Sequence, residues 1–216
     1  MLKRMLRACR PITRRLALAP RVLLEEMPDA PGLFTQYREL LATGHKRVPG
    51  GWIYDGDFYP DYLTVGGASC AIRPTALQWC QGRGIDMGAG LWQLPGAVPI
   101  DIESGPGVRN SLQSIPDASQ DFVFSSHCLE HIADWQAALR GWVAKLRRGG
   151  VLFLYLPHPS CKLWLPSNPA MAQHHKWSPT PEMIKRALDE LGIRLVAGDD
   201  GPDHYYSFYV CGRLHA

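Results

Sequence analysis

From about residue 84 onward, short apolar segments alternate with segments in which apolar residues recur at helical spacing. Strands and helices in this order build a mostly parallel sheet covered by helices, an α/β fold. The chain has 216 residues, 46% of them hydrophobic, which suffices for one substantial core. We predict strands over residues 84–88, 97–101, 121–126, 150–156, 193–198 and 204–211.

Two helices are predicted from periodicity and from the residues at their ends. Asp134 precedes one periodic apolar segment and suits the cap position, while residues 147–149, two arginines and a glycine, suit its end. The other helix begins with Thr180 as cap and Pro181 in its first turn, and it ends at Gly192.

Two segments beside the predicted sheet are candidates for covering a pocket. The apolar strand that ends at Pro157 leads into a loop over residues 157–178, long enough to be a lid or a substrate loop. Residues 50–62 interleave aromatic and acidic side chains, and they either cap a pocket or pack on the sheet. We therefore divide the chain into an N-terminal extension, residues 1–80, and a domain over residues 81–216.

The extension begins with a basic arm, since residues 1–21 hold lysines and arginines and no acidic residue. Its apolar side chains Leu2, Met5, Leu6 and Cys9 share one helical face, which suits peripheral contact with an anionic membrane surface or a partner. A frayed terminus is the alternative.

The remaining composition favours a cytoplasmic protein. No apolar run is long enough to span a bilayer, and Arg14 and Arg15 interrupt the only candidate signal-peptide core. The six cysteines form no Cys-x-x-Cys pair, so buried thiols are expected rather than a zinc knuckle or a disulfide scaffold. A net charge of +3 does not favour a nucleic-acid partner.

The segment Gly84-Ile85-Asp86-Met87-Gly88-Ala89-Gly90 and residues 99–103 have the pattern of two strand ends that build a nucleotide-type cofactor site. A Gly-x-Gly turn lets backbone amides approach a ligand that bulkier side chains would obstruct. An acidic residue at the end of the next strand can accept hydrogen bonds from ribose hydroxyls. Alone this motif is weak, since a glycine after a strand is often only a turn.

Three further motifs follow in order: a Pro-Asp-x-Ser-x-Asp turn at residues 116–121, Leu129-Glu130-His131, and an Arg-Arg-Gly-Gly turn at residues 147–150. With the glycine motif, this series over residues 82–160 resembles the class I S-adenosylmethionine-dependent methyltransferases of the group described as methyltransferase type 11. The resemblance implies a Rossmann-like, mostly parallel sheet with an antiparallel last strand and helices on both faces. Only ten residues separate Gly90 from Asp101, so the first helix is expected to be truncated.

The resemblance also implies a cofactor site for S-adenosylmethionine, with S-adenosylhomocysteine as product. The glycine turn would lie beside the methionine moiety and the sugar, Asp101 or else Glu103 would bind the ribose, and Leu112 and Gln113 would lie against adenine. The expected cofactor-binding residues are Asp86, Met87, Gly88, Ala89, Gly90, Asp101, Ile102, Glu103, Leu112, Gln113, Ser125 and Ser126.

Histidines supply the candidate catalytic groups. His127 follows a predicted strand, and His174 and His175 lie in the long loop, where a neutral imidazole can accept a hydroxyl proton. His127 and His131 are four residues apart and invite a metal interpretation. The sequence shows no third ligand at a motif spacing, so no metal is expected and His131 is interpreted as structural.

These observations predict methyl transfer from S-adenosylmethionine to a small-molecule or glycan acceptor, with oxygen as the first choice of acceptor atom. Residues 125–128, Ser-Ser-His-Cys, differ from the Asp/Asn-Pro-Pro-aromatic motif of enzymes that methylate planar amino nitrogens. A non-catalytic binding protein of the same fold is one alternative. A nicotinamide-dependent oxidoreductase is another, although a truncated first helix would remove the site that binds pyrophosphate.

Overall fold

A computed structural model of the chain describes residues 40, 42–64, 67–90, 92–101 and 111–215. The predicted basic arm and its amphipathic helix lie outside these residues, as do the candidate site residues Ile102 and Glu103. Within the described part of the chain, no helix is long and apolar enough to cross a membrane.

The first described strands form a small antiparallel sheet of their own. Strands β1 (Lys46–Val48), β2 (Gly51–Tyr54) and β3 (Asp57–Pro60) pair in that order. Trp52 and Tyr59, from the aromatic segment over residues 50–62, are buried in one of the two hydrophobic clusters formed by the described residues. This segment therefore packs on the body of the molecule.

The main sheet has the order β5-β4-β6-β7-β9-β8. Its strands are β4 (Gly84–Met87), β5 (Ala97–Ile100), β6 (Gln120–Ser126), β7 (Leu146–Pro157), β8 (Ile193–Asp199) and β9 (Ser207–Leu214). Strands β5, β4, β6 and β7 are parallel, and β9 runs antiparallel to both β7 and β8. The predicted α/β class, with a mostly parallel sheet and an antiparallel last strand, is confirmed.

Helices α1 (Ala68–Trp79), α2 (Trp135–Lys145) and α3 (Pro181–Glu190) accompany the sheet. Both predicted caps are present: the Asp134 carboxylate accepts from the Ala137 amide at 3.0 Å, and the Thr180 hydroxyl accepts from the Met183 amide at 3.2 Å. Helix α2 ends before the predicted arginines, because Leu146 already pairs with Gln120 in the β6–β7 ladder.

Alternate residues of the central strands face two hydrophobic clusters, as the two-residue period of a strand requires. Phe122 and Phe124 of β6 belong to the cluster that includes α1 and the small sheet, whereas Val123 belongs to the cluster that includes α2 and α3. Helices thus cover both faces of the sheet. Between β4 and β5, residues 92–96 contain no helical residue.

Gly84 lets β4 pack closely against β6 at the start of the parallel ladder. Gly84 is the ladder partner of Phe122, and a Cβ atom on Gly84 would lie 2.5 Å from the Phe122 ring. The Phe122 side chain is itself buried in the core, so it has little room to move.

We expect Gly84→Ala to lower the free energy of unfolding by about 1–3 kcal/mol, because it overpacks this contact. Gly141→Ala is the matched control, since Gly141 lies inside α2 and its Cβ would meet no atom closer than 4.0 Å. Replacing a helical glycine with alanine should stabilise the protein by about 0.5–1 kcal/mol. Urea denaturation measures the free energy of unfolding of both variants. A change in the same direction in both would contradict this account of Gly84.

Candidate functional site

A cavity of about 500 Å³ opens at the carboxyl ends of the parallel strands. Its volume lies within the roughly 300–1,000 Å³ typical of small-molecule sites. Strands β5 and β6 lie on opposite sides of β4, so this edge is the topological switch point at which open α/β sheets bind ligands. The cavity is lined by Leu63, Gly67, Ala68, Ser69, Asp86, Gly88, Ala89, Gly90, Trp92, Ser126, His127, His131, Trp164, Met171, His174, His175 and Tyr205.

The predicted glycine turn forms one wall of this cavity. Gly88 has φ +73°, and a Cβ atom there would lie 2.5 Å from the Cys128 sulfur, so glycine is required by both conformation and space. The Gly90 amide donates to the Asp101 carboxylate at 3.0 Å. The Gly88 amide donates to the Ile100 carbonyl at 2.7 Å. These two bonds join the turn after β4 to the end of β5.

Asp86 lies beneath the turn and lines the cavity. It is buried, and its carboxylate accepts from the Leu94 amide at 2.7 Å. Burial raises the pKa of Asp86 to about 7, an effect that the Leu94 hydrogen bond opposes and the nearby Asp101 reinforces. A cationic ligand in the cavity would favour the ionised form of this carboxyl group.

The cavity edge fits the polar parts of S-adenosylmethionine. The turn exposes backbone without side chains at Gly88 and Gly90, and Asp101 brings a carboxylate to the end of the neighbouring strand. A ribose with two hydroxyl groups suits such a carboxylate, and a sulfonium and an amino group suit a site with Asp86. The residues present therefore fit this cofactor.

The other candidate cofactor residues divide between the cavity lining and the protein interior. Met87 is buried, and the buried hydroxyl of Ser125 donates to the Met87 carbonyl at 3.1 Å, while Ser126 lines the cavity. Leu112 and Gln113 lie in a 3-10 turn, and Leu112 packs against the hydrophobic cluster of α2.

All three predicted catalytic histidines line the cavity. His127 has φ +48°, and its Nε2 lies 2.8 Å from the Ser207 hydroxyl, which itself donates to the Tyr205 carbonyl at 3.0 Å. The edge of its ring contacts Trp164, at 4.8 Å between centroids. Burial lowers the pKa of His127 well below its ordinary value, and neighbouring histidines lower it further.

The loop over residues 157–178 is folded onto the site. Trp164 and Met171 are buried within it and line the cavity. At its end, the Lys176 amide donates to the Glu130 carbonyl at 2.8 Å, and the Trp177 ring donates to the Leu129 carbonyl at 3.1 Å. These bonds attach the loop to the Leu129-Glu130-His131 turn, so the loop forms a wall of the cavity.

This attachment brings His175 beside Glu130 and His131, a group that sequence reasoning missed. The Glu130 carboxylate lies 3.9 Å from His131 Nε2 and 4.0 Å from His175 Nε2. Burial raises the pKa of Glu130 to about 8 and lowers that of His175 to about 3. The Leu-Glu-His motif was the only available signal, because nothing in the spacing of His175 identifies it as a neighbour.

Comparisons with known proteins agree with this geometry. Residues 72–154 match the family model described as Methyltransferase domain. A comparison with the sequences of curated proteins finds no match.

Two solved structures share the fold. An S-adenosylmethionine-dependent methyltransferase from Mesorhizobium loti has a TM-score of 0.50 at 16% identity, with 70% of this chain and 99% of that chain covered. The CurJ carbon methyltransferase has a TM-score of 0.53 at 11% identity, with 91% of this chain and 70% of that chain covered. Residues 72–154 thus match the Methyltransferase domain family, and the chain has the fold of S-adenosylmethionine-dependent methyltransferases.

Proposed function

We propose that the protein transfers the methyl group of S-adenosylmethionine to an oxygen atom of a small-molecule or glycan acceptor. The observation that carries this proposal is one cavity with two chemically different parts. The glycine turn and Asp86 form the part suited to the cofactor, and His127, His174 and His175 form the part suited to the acceptor.

In the cofactor part, the chain supplies positioning. The bond from the Gly90 amide holds the Asp101 carboxylate at the turn, in a place to accept from ribose hydroxyls. Asp86 contributes negative charge beneath the turn. The bound cofactor supplies an electrophilic methyl group on a sulfonium, and in-line alignment of the acceptor with that methyl group can provide most of the rate.

In the acceptor part, aromatic and aliphatic side chains exclude water, and the imidazoles are the polar groups that face the acceptor. Trp164 and Tyr205 surround His127, with ring centroids 4.8 Å and 6.1 Å from its own. Met171 and Leu63 complete the apolar lining. Such a wall accommodates a compact organic molecule better than a polymer backbone.

Among the three histidines, His174 is best suited to accept a proton. His127 and His175 each commit one ring nitrogen to a neighbour, the Ser207 hydroxyl and the Trp164 carbonyl, and burial lowers the pKa of both. His174 is exposed and lines the cavity, so its side chain lies between the acceptor part and solvent.

Asp101→Ala should weaken binding of S-adenosylhomocysteine at least about tenfold, because it removes charged acceptors for the ribose hydroxyls. Asp189→Ala is the matched control, since Asp189 is exposed in α3 and outside the cavity lining. Isothermal titration calorimetry measures both affinities, and circular dichroism checks that each variant is folded.

Failure of the folded wild-type protein to bind either S-adenosylmethionine or S-adenosylhomocysteine would refute the proposed function. Unchanged affinity in folded Asp101→Ala would instead move the ribose role to Glu103 or remove it. A rise in thermal stability with NAD and none with S-adenosylhomocysteine would favour the oxidoreductase alternative.

His174→Ala should lower turnover about 10²-fold or more and leave S-adenosylhomocysteine affinity unchanged, as expected for loss of a general base. The assay measures transfer of labelled methyl from S-adenosylmethionine to a panel of small hydroxylated acceptors. His204→Ala is the matched control, because His204 is an exposed histidine outside the cavity lining. Equal turnover in the two variants would reject His174 as the base.

A further inference from the structure

Glu130, His131 and His175, which we call the Glu130 cluster, bring a carboxylate and two imidazoles together at the cavity. One potential ligand atom from each residue lies within 4.8 Å of the other two. His131 and His175 line the cavity, while Glu130 is fully buried behind them. Their rings meet edge to face, with centroids 4.7 Å apart.

Hydrogen bonds to backbone carbonyls fix the tautomers of the two histidines. His175 Nδ1 lies 2.6 Å from the Trp164 carbonyl oxygen, and His131 Nδ1 lies 3.2 Å from the His174 carbonyl oxygen. A carbonyl oxygen can only accept, so each Nδ1 carries the hydrogen. In the neutral rings each Nε2 therefore presents a lone pair, and both Nε2 atoms lie near the Glu130 carboxylate.

No other described residue donates a hydrogen bond to either Glu130 side-chain oxygen, although the side chain is fully buried. The closest imidazole nitrogens lie 3.7 to 4.0 Å from Oε1, too far for hydrogen bonds. An unsatisfied buried carboxyl group is costly, and such groups usually have a functional reason. Converging acceptor atoms of this kind suit a cation between them.

We propose that Glu130, His131 and His175 bind a divalent transition-metal ion at the cavity wall. Two imidazoles with one carboxylate are a ligand set that zinc and iron use in catalytic sites that keep open positions. Backbone carbonyls that hold the distal nitrogens are the support that metal-binding histidines typically have. This proposal revises the expectation that no metal is bound.

The distances are close to those of a coordinated ion. Two metal–ligand bonds of about 2.1 Å at the tetrahedral angle separate the ligand atoms by roughly 3.4 Å. The Glu130 carboxylate is 3.9 Å and 4.0 Å from the two Nε2 atoms, so these two pairs must each approach by about 0.5–0.6 Å, and all three ligand atoms lie within 4.8 Å of one another. His127 Nδ1 lies 3.7 Å from the same oxygen and is the nearest further nitrogen.

The remaining coordination positions would face the cavity, because His131 and His175 line it. Resting on the proposed function, the ion is then placed to hold an oxygen atom of the methyl acceptor. Hydroxyl and carboxylate oxygens are suitable ligands for such an ion, whereas apolar acceptors are not.

Metal binding is measured on the full chain after removal of bound metal with a chelator. Calorimetric titration with zinc chloride should show one equivalent bound by the wild-type protein, and cobalt chloride should produce a visible absorption band. We expect Glu130→Gln and His175→Ala to weaken zinc affinity by roughly 100-fold or more. His215→Ala, which changes an exposed histidine remote from the cavity lining, should bind zinc as the wild type does.

Circular dichroism checks that each variant folds. His131→Ala serves if a buried variant does not fold, because the His131 side chain is 41% exposed. No zinc binding by the wild type, or equal affinity in the wild type and all folded cluster variants, would overturn the proposal. Acetohydroxamate, a bidentate oxygen ligand, is then added to the cobalt-bound protein. A change in the absorption band supports open coordination positions on the ion, and an unchanged band contradicts them.

The same metal-free samples are titrated with S-adenosylhomocysteine. Zinc binding without binding of this product would refute the proposed methyl transfer and support the metal site. If the protein binds S-adenosylhomocysteine but does not bind zinc, the metal site is refuted and the proposed cofactor site is supported.

Discussion

The parallel register of β4 and β6 determines where the groups of the site lie. Met87 pairs with Ser125, so both strands end at the same edge of the sheet. The chain then turns at Gly88 on one strand and reaches His127 on the other. A slip of one residue would turn every side chain of a strand to the opposite face. The glycine turn and the histidines thus meet because the core fixes this register.

The second determinant is the attachment of the long loop to the Leu129-Glu130-His131 turn. The Lys176 amide and the Trp177 ring both donate to carbonyls of that turn, and the Trp177 ring stacks on Trp135 at 4.5 Å. These contacts use backbone and aromatic groups, leaving the His175 imidazole for the cavity. The loop runs from the end of β7 to this turn and lines the cavity on the way.

Signals local in sequence predicted most of the fold and part of the site. Sequence patterns identify features that depend on neighbours within a few residues, such as the caps Asp134 and Thr180 and the glycine turn. The contact of His175 with Glu130 depends on a loop conformation that no periodicity encodes. The end of α2 was misplaced for a similar reason, because a ladder partner in β6 overrides the local signals of arginine and glycine.

Two buried carboxyl groups at the cavity, Asp86 in its lining and Glu130 behind it, differ in their hydrogen-bond partners. Burial raises the pKa of both, to about 7 for Asp86 and about 8 for Glu130. The Leu94 amide donates to Asp86 at 2.7 Å, so this carboxyl group has a partner in the connection between β4 and β5. No other described residue donates to Glu130, which faces imidazole nitrogens instead. An apolar side chain in its place would avoid the cost of burying a carboxyl group, and binding of a cation at Glu130 would compensate for that cost.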